Sequence, residues 1–131
     1  MKSALITGGA RGIGFATAQG LMADGWQVVI LDRDSDALAE ALAELPGAIG
    51  LDVDVSIPND VLRAVAEVAE AFGRLDGLVN NAGVAGTAGP IEDVSMADWD
   101  WVININLLGV ARGCKTFTDL FKQQGSGYFI N

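Results

Sequence analysis

The sequence predicts an α/β fold, a parallel sheet flanked by helices, and three observations carry that expectation. Apolar runs bounded by turn residues alternate with longer stretches of helical period, as in successive β-α-β units. The first apolar run turns through Gly8, Gly9 and Gly12 straight into a helical pattern. Half of the 131 residues are apolar, enough for one domain to bury a core.

The elements follow in order. Ser3 to Thr7 is the first strand and Gly12 to Asp24 the helix after it. Gln27 to Leu31, rich in β-branched residues, is the second strand. Asp34 or Ser35 caps a helix that reaches Leu45, where Pro46-Gly47 stops it. Ala48 to Val53 is a third strand. A helix over Asn59 to Phe72 carries Val61, Leu62, Val65, Val68, Ala69 and Phe72 on its apolar face, and Gly73 closes it. Leu75 to Asn80 is the fourth strand. Ala82 to Ser95 has the composition of a loop but so few polar residues that it should pack against something. A long helix over Met96 to Gln123 would then spread Trp99, Val102, Ile103, Leu107, Val110, Phe117 and Leu120 over broad apolar surfaces, with Gly109 and Gly113 permitting close packing. Tyr128-Phe129-Ile130 begins a fifth strand.

Composition excludes several classes of partner. A formal charge of −9 and a pI near 4.1 oppose binding to nucleic acid or an anionic membrane, since both need clustered Lys and Arg. Cys114 is the only cysteine and there is no histidine, so no internal disulfide and no Cys/His metal site is expected. No apolar run approaches a membrane span, and Met1-Lys2 leads into a strand without a signal-peptide pattern. A cytoplasmic location is the expectation.

The first turn has the geometry that cradles a pyrophosphate. Glycine at 8 permits the tight turn, glycine at 12 leaves backbone bare for phosphate, and glycine at 14 lets the helix pack closely on its strand. The helix N-terminus offers free N–H groups and a positive dipole to an anion. Asp32 ends the second strand, 18 positions after Gly14, where a dinucleotide fold places an acid on the adenosine ribose. Its charge would repel a 2′-phosphate and so favours NAD over NADP. Arg11 and Arg33 cut the other way, since either can pair with such a phosphate.

Thr7-Gly8-Gly9-Ala10-Arg11-Gly12-Ile13-Gly14, then Asn80-Asn81-Ala82-Gly83 after the fourth strand, then Asn106-Leu107-Leu108-Gly109 in the long helix together resemble the short-chain dehydrogenase/reductase family. The resemblance runs over the whole chain, with the motifs in order on the expected elements. It implies a doubly wound Rossmann sheet of order 3-2-1-4-5, with residues 1–131 as the N-terminal part of an NAD(P)-binding domain. Hydride exchange between a small alcohol and a carbonyl is the implied activity. Carried over, Gly8, Gly12, Ile13 and Gly14 form the pyrophosphate and nicotinamide-side turn, and Asp32 takes the ribose. Asp54-Val55 flanks the adenine, Asp54 meeting its amino group. Asn81-Ala82-Gly83 lines the adenosine half, Asn81 tying a strand end to a neighbouring loop because one amide both donates and accepts. Asn106 is the helix asparagine that holds a water in the catalytic proton relay, although Asn104 lies two residues away and one of the two is free to face solvent.

The serine and Tyr-x-x-x-Lys of the family lie beyond Asn131, and Tyr128 has no lysine four residues on. The chain thus resembles the first half of a family member. A piece of a longer dehydrogenase is the expected reading, because the end falls inside an element rather than at a domain boundary. A chain completed by a second one, or a nucleotide-binding module without chemistry, is the alternative. A Rossmann methyltransferase shares the glycine turn and the acid but has no use for Asn-Asn-Ala-Gly. A homodimer or homotetramer is expected, through the long helix or the unpaired fifth strand.

Overall fold

The computed structural model describes residues 1–131. Five parallel strands, β1 (Ser3–Thr7), β2 (Gln27–Asp32), β3 (Ile49–Asp52), β4 (Gly77–Val79) and β5 (Tyr128–Ile130), form one sheet in the order β3-β2-β1-β4-β5. The order implied by the resemblance is the one observed. β1 lies at the centre, with Leu5 beside Val29 on one side and Leu78 on the other.

Alternation along these strands feeds two cores. Leu5, Val29, Leu31 and Leu78 point to a face covered by α3 (Pro58–Phe72) and α5 (Gly109–Gln124), where they meet Val61, Ala64, Val68, Phe117 and Phe121. Ile6, Val28 and Ile30 point to the opposite face and pack with Ala18 of α1 (Gly12–Ala23) and Ala37, Leu38 and Ala41 of α2 (Ser35–Glu44). The cap of α2 is Asp34, whose side chain accepts the Ala37 N–H at 3.0 Å. Pro58 starts α3 where its missing N–H costs nothing, and Gly73 ends it in the left-handed region. Leu62, expected on the apolar face of that helix, is exposed.

β4 is shorter than the run Leu75 to Asn80 suggests. The Gln124 side chain takes both backbone groups of Leu75, at 2.9 and 2.7 Å, and so removes it from the ladder. The long helix also differs from its expected form. α4 (Met96–Ile103), capped by Ser95 Oγ on the Asp98 N–H, passes through a π-helical segment, Asn104–Leu108, before α5. Arg112 donates to the Asn104 carbonyl at 3.0 Å, occupying the acceptor that regular helix would offer to Leu108.

Only the stripe Ile105, Gly109, Gly113, Phe117 and Phe121 of this helical run is buried. Trp99, Ile103 and Leu107 stand exposed instead of packed. The loop from Ala82 to Ser95 is mostly exposed as well. Its low polarity reflects Gly and Ala, whose small side chains gain little by burial. No helix is long and apolar enough to cross a membrane.

Candidate functional site

A cleft of about 390 Å³ opens beyond the C-terminal ends of β1, β2, β3 and β4. Gly8, Arg11, Gly12, Asp32, Arg33, Asp54, Val55, Asn81, Ala82 and Gly83 line it together, joined by Asp34, Val53, Val84 and Ile105. Ile13, Gly14 and Asn106 lie outside the lining.

At Gly8 and Gly14 the β1–α1 turn leaves no room for a side chain. Gly8 has φ +63°, and a Cβ there would stand 2.9 Å from Ala82 Cα. A Cβ on Gly14 would meet the Gly8 carbonyl oxygen at 2.4 Å and Asn81 Nδ2 at 2.5 Å, so the helix start touches both strand ends through bare backbone. Gly12, at φ +57°, has open space on the side where a Cβ would point. The first N–H of α1 with a protein acceptor is that of Phe15, on the Arg11 carbonyl at 3.2 Å, which leaves those of Gly12, Ile13 and Gly14 free to bind an anion. The Ile13 side chain is exposed above them.

Thr7 is the hub beneath this turn. Its hydroxyl accepts the Asn81 N–H at 3.0 Å and the Ala82 N–H at 2.9 Å. Asn81 Nδ2 in turn donates to the Thr7 and Gly8 carbonyls, at 3.0 and 3.2 Å, tying the end of β4 to the glycine turn.

Carboxylates and arginines make the opposite rim. Asp32 Oδ2 accepts the Ala10 N–H at 3.2 Å and Oδ1 the Asp34 N–H at 3.1 Å, so its carboxylate is oriented by both neighbouring turns. Asp34 pairs with Arg11 at 2.7 Å, an exposed bridge. The Ala37 N–H first, and Arg11 second, hold the Asp34 carboxyl below the usual aspartate range. The Arg33 guanidinium sits 5.7 Å from the Trp101 ring centroid, a cation–π contact reaching from the end of β2 to α4. Asp54 commits Oδ1 to the N–H and hydroxyl of Ser56, at 2.9 and 2.6 Å, and keeps Oδ2 uncommitted.

Asn106 spends both ends of its amide on Val84, accepting its N–H and donating to its carbonyl, each at 2.8 Å. Asn104 does not face solvent idly, since its Oδ1 accepts from Arg112 Nη2 at 2.5 Å. Arg112 also donates to the Val55 carbonyl at 3.0 Å and so joins the β3–α3 loop to the π-helical segment. Thr7 and Arg112, which brace the cleft without lining it, are given no role by sequence reasoning. A hydroxyl closing a buried strand and a lone arginine beside Gly113 were their only signals.

The chain is similar to known proteins over nearly its whole length. A family model described as short chain dehydrogenase matches residues 2–131. Levodione reductase of Leifsonia aquatica is 40% identical over 97% of this chain and 50% of its own. The structure of NAD+-bound xylitol dehydrogenase superposes with a TM-score of 0.94 at 32% identity, covering 98% of this chain and 51% of that one. A 3-ketoacyl-(acyl-carrier-protein) reductase from Brucella melitensis, complexed with NADH, gives 0.91 at 34% identity over 95% and 52% of the two chains. The chain spans about half the length of the curated relatives it matches.

Proposed function

Because the chain belongs to the short-chain dehydrogenase family, we propose that it supplies the NAD-binding half of an oxidoreductase that moves hydride between a small alcohol and a carbonyl. The observation that carries this reading is the row of free N–H groups on Gly12, Ile13 and Gly14, beside a cleft whose far rim is the oriented carboxylate of Asp32. Such donors suit a diphosphate. The Asp32 oxygens each hold one backbone N–H already and retain lone pairs for ribose hydroxyls, while their charge disfavours a 2′-phosphate.

Asp54 Oδ2 is assigned to the adenine amino group, and Val55, Ala82 and Gly83 to the walls around the adenosine. Asn81 is assigned to positioning, since its amide is bound to Thr7 and Gly8. Asn106 is assigned to the proton relay, held in place by Val84. The nicotinamide, when bound, supplies the two-electron hydride chemistry. NAD+ and NADH in the neighbouring structures support this cofactor, and the dehydrogenase and reductase names of the relatives support the reaction class. A homodimer or homotetramer in the cytoplasm completes the reading.

Titration calorimetry with NAD+, NADP+ and S-adenosylmethionine tests it. NAD+ is expected to bind tightest, and Asp32→Ala to weaken it by about ten- to a hundredfold, the worth of charge-assisted hydrogen bonds. Absence of nicotinamide-nucleotide binding, or an Asp32→Ala protein with unchanged affinity, would overturn it.

A further inference from the structure

Two arginines line the cleft, and each is occupied by a different neighbour. Arg11 Nη2 lies 2.7 Å from Asp34 Oδ2. Asp34 is not free to follow if Arg11 swings away, because its other oxygen caps α2 through Ala37. Arg33 lies over the Trp101 ring at 5.7 Å. Trp101 is one helical turn before Ile105, which itself lines the cleft, so this contact spans from the β2 rim to the helix on the other side.

A free guanidinium in either place would offer a forked donor set to a phosphate on the adenosine ribose. We propose that Asp34 and Trp101 are positioning residues that detain Arg11 and Arg33 and thereby strengthen the preference for a nucleotide with a free 2′-hydroxyl. Asp32 acts on that hydroxyl by its own charge; Asp34 and Trp101 act on it through the arginines. The inference rests on the cofactor reading above.

The ratio of NADP+ to NAD+ dissociation constants, measured on the folded protein and its variants, is the test, because a change that merely loosens the fold moves both constants together. Trp101→Leu alters no charge, and it is expected to shift the ratio about two- to fivefold toward NADP+, the worth of an exposed cation–π contact. Trp101→Phe, which keeps a ring, should retain most of the wild-type ratio. Asp34→Asn is expected to shift the ratio similarly. Both gains should vanish when the partner arginine is also removed, in Trp101→Leu/Arg33→Gln and Asp34→Asn/Arg11→Gln. Persistence of the Asp34→Asn gain without Arg11 would mean simple charge removal and would overturn detention there; an unchanged ratio in Trp101→Leu would overturn it for Arg33. A wild-type protein that binds neither nucleotide would sink the cofactor reading and this inference with it, whereas NAD+ binding with one fixed ratio in every variant would sink the inference alone.

Discussion

Around the β1–α1 turn, contacts run between bare backbone and a few short polar side chains: Thr7 holds two N–H groups, Asn81 two carbonyls, and Gly14 presses on the Gly8 carbonyl. Along α4 and the π-helical segment the arrangement is reversed. Trp99, Ile103, Leu107 and Leu108 project into solvent, and one buried side chain, Ile105, faces the cleft. At Gly8 and Gly14 the first region has no room for an added atom, while the second has apolar surface with nothing in the chain to cover it. Position in the cleft is therefore set at the turn, while the helix surface is free to make a contact beyond the chain.

The largest effect should come from closing that last gap at the turn. Gly14→Ala puts a methyl 2.4 Å from the Gly8 oxygen, and both partners are main chain or fixed by main chain. A loss of about 2–3 kcal/mol in urea unfolding is expected, together with loss of nucleotide binding. Gly113→Ala sharpens the contrast. Its methyl would also clash, 2.3 Å from Asn80 Oδ1, but the obstacle is a side chain that can turn at the expense of its bond to Asn131. The smaller loss should leave nucleotide affinity within about twofold.

Thr7→Val tests the same region by chemistry rather than volume. The shape is kept while the N–H groups of Asn81 and Ala82 lose their acceptor, at an expected cost of about 1–3 kcal/mol by urea unfolding. An unchanged midpoint would show that these groups find water and that Thr7 is no hub.

The difference between the two regions also explains what the sequence made legible. The Gly8, Gly12 and Gly14 spacing, Asp32 at a strand end and the two-faced strands are local patterns; the structure realises the sheet order and brings Gly8, Gly12 and Asp32 to one cleft, with Gly14 packed behind it on the Gly8 carbonyl. The π-helical segment was not readable, because it arises from Arg112 bonding a carbonyl eight residues earlier and another in a distant loop. Helical periodicity in the long helix correctly marked Phe117, but it could not tell a face covered by α3 from one left to solvent. The same limit shortened β4, since Gln124 reaches Leu75 from 49 residues away.

A pH-dependent contrast is expected at the other end of the sheet. Asp76 is partly desolvated, which by itself would raise its pKa, but the Arg74 side chain, the Ser3 N–H and the charges of Arg74 and Lys2 outweigh this and hold it below 3.8. A carboxylate depressed on folding contributes stability that is full above the unfolded value and disappears as pH falls through the folded one. Asp76→Asn should therefore cost about 1 kcal/mol near neutrality, allowing for solvent screening, and should flatten the acid limb of the stability curve below about pH 4. Parallel limbs in the two proteins would remove Asp76 from the account.

The smallest effect on folding is expected at Leu107, and for that reason it isolates the helix surface most cleanly. The residue is 58% exposed, so Leu107→Glu removes little buried area and should move stability by no more than about 0.5 kcal/mol. If copies of the chain meet along α4 and the π-helical segment, the new charge would be desolvated at the contact without a partner, and sedimentation should show a shift toward monomer. NAD+ affinity of the variant should follow the wild type, since Leu107 does not line the cleft. Unchanged assembly would move the contact to another face; for the one that carries the exposed Tyr128 and Ile130 of β5, a Tyr128→Lys variant would then be the one to dissociate.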